Sequence, residues 1–341
     1  INKNPRPGLE AVLSHANVHR VEEEPSTNSE QPQNVLNKEV TISDLVFMIG
    51  PRINAAGRLE KASDSVRLLI AERKEHAEKL ASSINDLNVR RREFDNKITE
   101  EALSMIQQNE KLLNAKSTVI FNENWHKGVI GIVASRLTDS YYRPTIVLTR
   151  SNNLITGSAR SIKNFDIYDA IDNCSDLLEH FGGHKYAAGL SLKPENLEEF
   201  SRRFEEYVSN NIDNEELIPE LNVDLEINFS DITPKFVRVL KQFAPFGPGN
   251  MAPVFLSRDV VDTGSSRPVG GQERKHLKLS MAQKDDSNTV LPGIAFQKGG
   301  DYQRVNSKEP FSICYCIEKN FWQGKTNLQL NVKDIKFDFF E

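Results

Sequence analysis

The segment Phe181-Gly182-Gly183-His184-Lys185-Tyr186-Ala187-Ala188-Gly189 sets two adjacent glycines directly before a histidine and a lysine. Glycine lets the backbone approach a ligand closely, and successive backbone N–H groups form anion-binding concavities. The segment therefore predicts a glycine turn that runs into a strand of an α/β domain. It also predicts part of a phosphate site, with Gly182 and Gly183 against the ligand and His184 as the candidate catalytic residue. A Gly-Gly-His triplet alone fits an ordinary turn equally well, so the interpretation depends on the rest of the chain.

Three further segments place a cationic side chain beside glycine or other small residues. Each combines side-chain and backbone donors that suit an anion. We interpret them, together with residues 181–189, as parts of one phosphate-handling site. The three segments are GPRINAAGR (residues 50–58), WHKGVIG (residues 125–131) and GSARS (residues 157–161).

Arg160 and Ser158 are the strongest candidates for a phosphate clamp. Arginine presents a planar fork of donors that pairs two phosphate oxygens at once, and the serine hydroxyl adds another donor. Gly157 and Ala159 leave room for a ligand against the backbone. The alternative is a solvated strand end, which the same residues would also form.

Arg52, Asn54 and Arg58 occupy a segment that has no apolar reason to carry two arginines. They either line a ligand at the start of a helix or cap the preceding domain by ion pairs, and the residues alone leave both readings open. His126 precedes a glycine-rich helix start whose first amides could receive an anion. We assign the glycines of that helix to packing against a sheet and only His126 to the site.

The spacing of apolar residues divides the chain into regions of different structure. Residues 72–109 contain neither glycine nor proline, and their narrow apolar stripe predicts one long helix. Residues 117–210 alternate strand-like and helix-like runs, which predicts an α/β domain. Residues 22–39 are acidic and almost devoid of apolar side chains, so we expect a flexible loop. Beyond residue 214 the sequence predicts a small OB-type barrel, with strands in the runs His276–Met281, Val290–Phe296, Phe311–Ile317 and Leu328–Ile335.

A second group of candidate residues lies in the predicted barrel. Between residues 265 and 280, five basic side chains stand against one acidic residue, which predicts a groove that follows a nucleic-acid backbone. An aromatic residue on a neighbouring strand would add a platform for a stacked base, worth about 1–3 kcal/mol. The alternative is a solvated hairpin. The candidate nucleic-acid-binding residues are Arg267, Arg274, Lys275, Lys278 and Trp322.

Length and composition limit the class of protein. A chain of 341 residues exceeds the usual size of a single core, so two or three domains are expected. With 27% charged residues and no apolar run near the ~20 residues that cross a bilayer, the sequence predicts a cytoplasmic protein without a membrane span. The net charge of -5 argues against indiscriminate coating of nucleic acid. The three cysteines form no even disulfide framework, and we expect them to be reduced.

The four motifs, in this order, resemble the C-terminal part of the RecJ-type single-strand-specific DNA exonucleases of the DHH phosphoesterase superfamily. The resemblance covers nearly the whole chain and implies a multidomain α/β plus all-β architecture. The sequence lacks the Asp-His-His triplet of the family's metal site and opens at Ile1, so we expect a fragment. The implied domains are the end of a nuclease domain (1–70), a connector helix (71–112), a DHH-associated α/β domain (113–213) and an OB-fold (214–341).

The resemblance also implies a function, the 5′ to 3′ hydrolysis of single-stranded DNA in repair and recombination. Ser158 and Arg160 would hold the 5′-terminal phosphate, and residues 50–58 would face the cleft. His184 would either donate a hydrogen bond to the scissile phosphate or shuttle a proton. Mn or Mg ions would activate the attacking water, held by ligands outside this chain, which alone would be inactive. The implied partners are single-stranded DNA, a single-strand-binding protein and a helicase.

Two other functions stay open at this point. A phosphodiesterase of the same superfamily, acting on short oligoribonucleotides or cyclic dinucleotides, shares the Gly-Gly-His chemistry. Such an enzyme would keep its turnover after removal of residues 214–341, because a substrate of one or two nucleotides needs no strand-binding barrel. The other candidate is a non-catalytic module that recruits nucleic acid or proteins through the barrel.

Overall fold

A computed structural model describes residues 2–23, 33–37, 39–271, 273–322 and 325–337. The chain forms two units, residues 1–219 and residues 220–341. Across the described ranges, no helix is both long enough and apolar enough to span a membrane.

The first part of the N-terminal unit is a layer of helices packed on one long helix. These helices are α1 (Pro7–Ser14), α2 (Ile42–Asp44, continued by a π-helical turn Leu45–Ile49), α3 (Gly50–Leu59), α4 (Ala62–Leu69), α5 (Lys74–Gln107) and α6 (Glu110–Asn114). The predicted long helix is α5, whose 34 residues bury Ile84 and Leu87 in a core shared with α1, α3 and α4. α3 begins with Pro51 in its first turn, where a missing N–H costs no hydrogen bond.

Two short strands overlap the segment predicted as an acidic loop. β1 (Arg20–Glu23) and β2 (Gln33–Leu36) pair in an antiparallel ribbon. Leu36 packs against the helical core. The polar composition of the surrounding segment gave no indication of this apolar contact. The loop prediction for residues 22–39 is therefore wrong at its two ends, and residues 24–32 lie outside the described part of the chain.

A mixed sheet of five strands forms the rest of the N-terminal unit and confirms the predicted α/β domain. Its strands are β3 (Thr118–Phe121), β4 (Thr145–Ser151), β5 (Leu154–Arg160), β6 (Leu178–His184) and β7 (Ala187–Leu192), and its helices are α7 (Ile130–Tyr141), α8 (Ile167–Asp172) and α9 (Leu197–Asn211). Short 3-10 turns occur at Ser175–Leu177, Pro194–Asn196 and Asn214–Leu217. The strand order is β3-β4-β5-β7-β6, with β3 and β4 parallel and the other pairs antiparallel. α8 and α9 cover one face, while α7 and α5 cover the β3–β4 side of the other.

The Gly182-Gly183 pair lies within strand β6 and not in a turn. β6 and β7 form a hairpin whose turn is residues 185–186. A Cβ atom on Gly183 would lie 2.5 Å from Ala188 Cα of the paired strand, so this position needs glycine because the two strands approach so closely. The predicted glycine turn is therefore wrong, since a local glycine signal does not distinguish a turn from a close strand contact.

Glu205 fastens α9 to the chain that enters β3. Its carboxylate accepts hydrogen bonds from Lys116 N (3.0 Å), from Ser117 N (2.9 Å) and from the hydroxyls of Ser117 (2.5 Å) and Ser209 (2.9 Å). Hydrogen bonds to a charged group contribute about 1.5–3 kcal/mol each. This single carboxylate therefore joins α9 to the residues that lead into β3.

The second unit contains a closed barrel, which confirms the small barrel expected beyond residue 214. Its elements are β8 (Leu225–Glu226), a 3-10 turn (Phe229–Asp231), α10 (Pro234–Leu240), a 3-10 turn (Lys241–Phe243), β9 (Phe255–Asp262), β10 (Arg267–Val269), β11 (His276–Gln283), β12 (Asp286–Ala295), a 3-10 turn (Gly299–Asp301), α11 (Tyr302–Val305), β13 (Phe311–Trp322) and β14 (Lys325–Lys336). The sheet order is β10-β11-β12-β14-β13-β9-β8. The barrel closes because β11 pairs with β9 as well as with β12, so the strands β9, β11, β12, β14 and β13 form a ring of five without an open edge.

A buried tyrosine organises the barrel core. Tyr315 packs against the rings of Phe229 and Phe255, with centroids 6.3 and 6.1 Å away. Its hydroxyl lies 2.8 Å from Ser257 Oγ, which in turn donates to Ile227 O at 2.6 Å. Burial raises the pKa of Tyr315 to about 12, so the hydroxyl stays protonated at neutral pH.

Candidate phosphate site

Strand β5 brings the two predicted clamp residues into direct contact. Ser158 and Arg160 alternate with Ala159, which points into the core beneath α8 and α9, so both face the side of the sheet that carries α7. Arg160 donates to Ser158 Oγ (3.0 Å), to Ser135 Oγ of α7 (3.1 Å) and to Ala159 O (2.7 Å). These three acceptors fix the orientation of the guanidinium.

Two rows of residues cross β5, β7 and β6 in register. The rows are Arg160–Ala187–His184 and Ser158–Gly189–Gly182. Neighbouring strands are about 4.8 Å apart, so the Cα atoms of Arg160 and His184 are separated by about 10 Å. Gly182 and Gly189 are exposed, and nothing lies within 4 Å of a Cβ atom built on Gly182. The surface between the arginine and the histidine is therefore bare backbone with one small side chain, and we call Gly182, Ala187 and Gly189 the glycine floor.

Helix α7 packs directly against the clamp. A Cβ atom on Gly131 would lie 2.9 Å from Ser158 Oγ and 3.1 Å from Arg160 Nη2. Both distances are shorter than ordinary van der Waals contact, so any larger residue would displace one of the two side chains. The glycine assigned to packing thus packs against the candidate site itself.

Arg58 joins the site from the helical layer. Its guanidinium donates to Gly128 O at 3.2 Å, and a Cβ atom on Gly128 would lie 1.9 Å from Arg58 O. The end of α3 is therefore held against the loop that precedes α7. Burial lowers the pKa of Arg160, and the charge of Arg58 lowers it further. Asn54 is exposed one turn earlier on the same face of α3.

The two predicted histidines share one hydrogen-bonding arrangement. Gly128 N donates to His126 Nδ1 at 3.1 Å, and Tyr186 N donates to His184 Nδ1 at 3.3 Å. An acceptor at Nδ1 assigns the proton of the neutral ring to Nε2. His126 also stacks on Phe94 of α5, with ring centroids 5.6 Å apart and ring planes at 15°. Each histidine thus offers an Nε2–H donor at a defined position.

Arg52 is engaged inside the helical layer. Its guanidinium donates to Met48 O (2.6 Å), His15 O (2.8 Å) and Asn85 Oδ1 (3.1 Å). Burial lowers its pKa, and the charge of Arg92 lowers it further. These contacts match the capping alternative for Arg52, with carbonyl and amide acceptors in place of the expected ion pairs.

A buried aspartate beside the site was missed by the sequence reasoning. Asp95 of α5 is fully buried, and its Oδ2 lies 2.7 Å from Arg136 Nη2 of α7 and 3.5 Å from Arg91 Nη1. Burial raises the pKa of Asp95, and the charges of Arg136, Arg91 and Arg58 oppose that shift. The carboxylate ties α5 to α7 and offsets part of the positive charge near the clamp. Its only signal in the sequence was the i, i+4 spacing from Arg91.

The predicted basic residues of the barrel fall into two groups. Arg267 and Lys278 lie directly opposite each other on β10 and β11, and both are exposed. Arg274 and Lys275 lie in the loop between these strands, where Lys275 forms an ion pair with an acidic neighbour. The side chain of Trp322 lies outside the described residues.

Two protein-family models match the chain. The DHHA1 domain matches residues 109–210, and the RecJ OB domain matches residues 223–334. The chain therefore combines an α/β DHHA1 domain with an OB barrel.

Relatives named single-stranded-DNA-specific exonuclease RecJ extend the match. The Bacillus subtilis protein is 35% identical over 290 residues, which cover 84% of this chain and 36% of the relative. The Haemophilus influenzae protein is 32% identical over 307 residues, covering 88% and 52%. The crystal structure of Thermus thermophilus RecJ in complex with Mg2+ matches with a TM-score of 0.72 at 26% identity, over 86% of this chain and 44% of that one. The chain spans between about a third and a half of the length of these relatives, and it contains the DHHA1 and RecJ OB domains that the family models describe.

Proposed function

We propose that the chain supplies the 5′-phosphate clamp and the strand-binding surface of a 5′ to 3′ single-stranded DNA exonuclease of DNA repair and recombination. The contact of Arg160 with Ser158 at the edge of the glycine floor carries the proposal. The RecJ relatives support the substrate class, single-stranded DNA. The RecJ OB domain favours this function over a cyclic-dinucleotide phosphodiesterase, because so small a substrate needs no strand-binding barrel.

A terminal phosphate suits the clamp better than an internal one. A phosphate monoester carries about −1.5 to −2 charges at pH 7, and its three free oxygens are strong acceptors. Arg160 and Arg58 supply two positive charges, and Ser158 adds a hydroxyl. An internal phosphodiester has one charge and two free oxygens, so it cannot use all of these donors. Preference for the terminal group gives the exonuclease its polarity.

The glycine floor leads the strand away from the clamp. DNA that lies on Gly182 and Gly189 meets backbone without large side chains, so its phosphates can approach the sheet closely. His184 ends the row that begins at Arg160, and its Nε2–H donates a hydrogen bond to the scissile phosphodiester next to the bound end. His126 provides a second donor of the same kind.

Metal ions supply the activated water in enzymes of this type. Solved structures of Thermus thermophilus RecJ are complexes with Mg2+ and Mn2+. In the part of this chain that the structure describes, no group of three or more His, Cys, Asp or Glu side chains could hold a metal ion. These residues therefore do not fit a metal site, and the role of the chain is to bind and orient the DNA. The same proposal places the protein in the cytoplasm, with a single-strand-binding protein and a helicase as partners.

The clamp is tested by Arg160→Ala in the 341-residue chain. Fluorescence anisotropy compares the affinities of 5′-phosphorylated and 5′-hydroxyl single strands. Charge-assisted hydrogen bonds contribute about 1.5–3 kcal/mol, so the preference for the phosphorylated end should fall about tenfold or more. Arg150→Ala is the matched control, because it removes the same charge from an exposed position of β4 that pairs with Glu123 at 3.4 Å. An Arg160→Ala chain that keeps the wild-type preference would overturn the clamp.

A further inference from the structure

The outer face of β10, β11 and β12 carries an exposed aromatic ring beside cationic side chains. Leu277 and Ala295 are paired residues that point into the barrel core, so their neighbours His276 and Lys278 lie on the outer face. Phe296 directly follows β12 at the same end of the strands and is 56% exposed. A large aromatic side chain is thus presented to solvent next to a basic surface.

The Phe296 ring is held in a defined orientation. Its edge-to-face contact with His276 has a centroid distance of 5.2 Å and an angle of 74°. His276 is itself fixed, because Gln297 N donates to its Nδ1 at 3.1 Å. On the other side, a Cβ atom on Gly270 would lie 2.9 Å from His276 Cδ2, so glycine is needed for this approach. A fixed and exposed aromatic ring is the platform on which a nucleobase stacks.

Arg267 and Lys278 differ from the other cations of this end of the barrel in their ionic partners. Arg267 and Lys278 lie directly opposite each other, and like charges in that position are destabilising. Among the described residues, neither has an acidic partner within 4.0 Å, whereas Lys275 and Lys298 of the adjoining loops are ion-paired. An anion between Arg267 and Lys278 would relieve this repulsion.

The adjoining loops line a cleft of about 480 Å³ at the same end of the barrel. Gly299 N donates to Lys275 O at 2.9 Å, and a Cβ atom on Gly299 would lie 2.1 Å from Arg274 O, so the two loops touch. Arg274 and Gln297 both adopt left-handed backbone conformations, with φ of 48° and 60°. Such conformations persist where the surrounding contacts fix them, and they cluster at binding sites.

We propose that this face is a stacking site for an internal nucleotide of single-stranded DNA. The base lies on Phe296, and the adjoining phosphodiester lies between Arg267 and Lys278. Lys278 is two residues from His276, about 7 Å along the strand, so one nucleotide spans the platform and the cation pair. The inference rests on the proposed function for its ligand class, but it involves none of the residues of the clamp.

Phe296→Leu in the 341-residue chain tests the platform, with a 5′-hydroxyl oligothymidine as the probe. This probe carries no terminal phosphate for Arg160 to bind, so the measurement does not depend on the clamp. Loss of one stacked base should weaken binding about 5- to 150-fold in fluorescence anisotropy without changing the salt slope. Phe243→Leu is the matched control, because Phe243 is 62% exposed on the same unit and lies in the turn after α10. Thermal unfolding verifies that both variants are folded.

Two further measurements separate stacking from charge. An oligonucleotide of abasic sites should bind wild type and Phe296→Leu equally. Replacing Arg267 and Lys278 together by Gln should reduce the salt slope by about 1.4, at ~0.7 for each lost contact to a single strand. A Phe296→Leu chain that binds oligothymidine as Phe243→Leu does, or that loses as much affinity for the abasic strand, would overturn the stacking site. The clamp would fail separately, through an unchanged 5′-phosphate preference in Arg160→Ala.

Discussion

Gly131→Ala should weaken phosphate recognition without unfolding the protein. The new methyl group would lie 2.9 Å from Ser158 Oγ and 3.1 Å from Arg160 Nη2, and these side chains must move by roughly half an ångström to reach ordinary contact. That movement breaks the 3.0 Å hydrogen bond between them, which orients the fork of donors. If the proposed clamp loses one charge-assisted contact of about 1.5–3 kcal/mol, the preference for a 5′-phosphate falls about 10- to 150-fold.

The stability of the same variant should change little or even rise. Replacing a helical glycine with alanine gains about 0.4–1 kcal/mol through the unfolded chain, which offsets the crowding at the clamp. Urea unfolding measures stability, and anisotropy with 5′-phosphorylated and 5′-hydroxyl strands measures the preference. Ser140→Ala is the control, because its hydroxyl donates to Arg136 O at the other end of α7. A Gly131→Ala chain that keeps the wild-type phosphate preference would contradict this prediction, as would a loss of preference accompanied by general unfolding.

Three further predictions concern stability. Glu205→Gln places an amide NH2 group among N–H and O–H donors that the carboxylate accepts from, so it should lower the free energy of unfolding by about 2–3 kcal/mol. The control Glu206→Gln, on the exposed face of α9, should lower it by less than about 0.5 kcal/mol. Equal urea midpoints for the two variants would contradict this prediction. Burial raises the pKa of the Cys174 thiol to about 11, so the folded chain keeps a proton that the unfolded chain releases. The free energy of unfolding should therefore fall by up to ~1.4 kcal/mol per unit between about pH 9 and pH 11, and a slope that survives in Cys174→Ala would disprove the assignment. Ser257→Ala should destabilise the barrel by about 2 kcal/mol, because it leaves the buried Tyr315 hydroxyl without its partner. Tyr315→Phe should cost about 1 kcal/mol, because the Ser257 hydroxyl still donates to Ile227 O. The reverse order in thermal unfolding would count against the hydrogen bond.

Local sequence signals were sufficient where an element is long and periodic. The helix expected over residues 72–109 is observed as Lys74–Gln107, because neither glycine nor proline interrupts the apolar stripe. The barrel was predicted from four runs, but β9 was not among them, although the barrel cannot close without its pairing to β11. That pairing joins Met281 to Asp262 and Gln283 to Val260, and the apolar spacing within a single strand does not indicate its partner strand.

The candidate site was predictable as a set of motifs but not as a set of contacts. The motif at residues 157–161 supplied Ser158 and Arg160, which the structure joins in one hydrogen bond. The motif at residues 50–58 supplied two arginines of different surroundings, because Arg52 is held by the helical layer while Arg58 donates to Gly128 O in the loop before α7. The surroundings of each arginine depend on how α5 packs against the rest of the unit, which the local sequence does not reveal.

The glycines of the motifs are better understood as contact points between motifs than as separate phosphate loops. A Cβ atom on Gly128 would strike Arg58 O at 1.9 Å, and one on Gly131 would strike Ser158 Oγ at 2.9 Å. The motif at residues 125–131 thus has glycine at the two positions that contact the motifs at residues 50–58 and 157–161. Gly183 does the same for the hairpin that carries His184 into the row of Arg160. Distant glycine-rich segments with cationic neighbours therefore predict mutual approach, and the cations become one site because the glycines let the backbones meet.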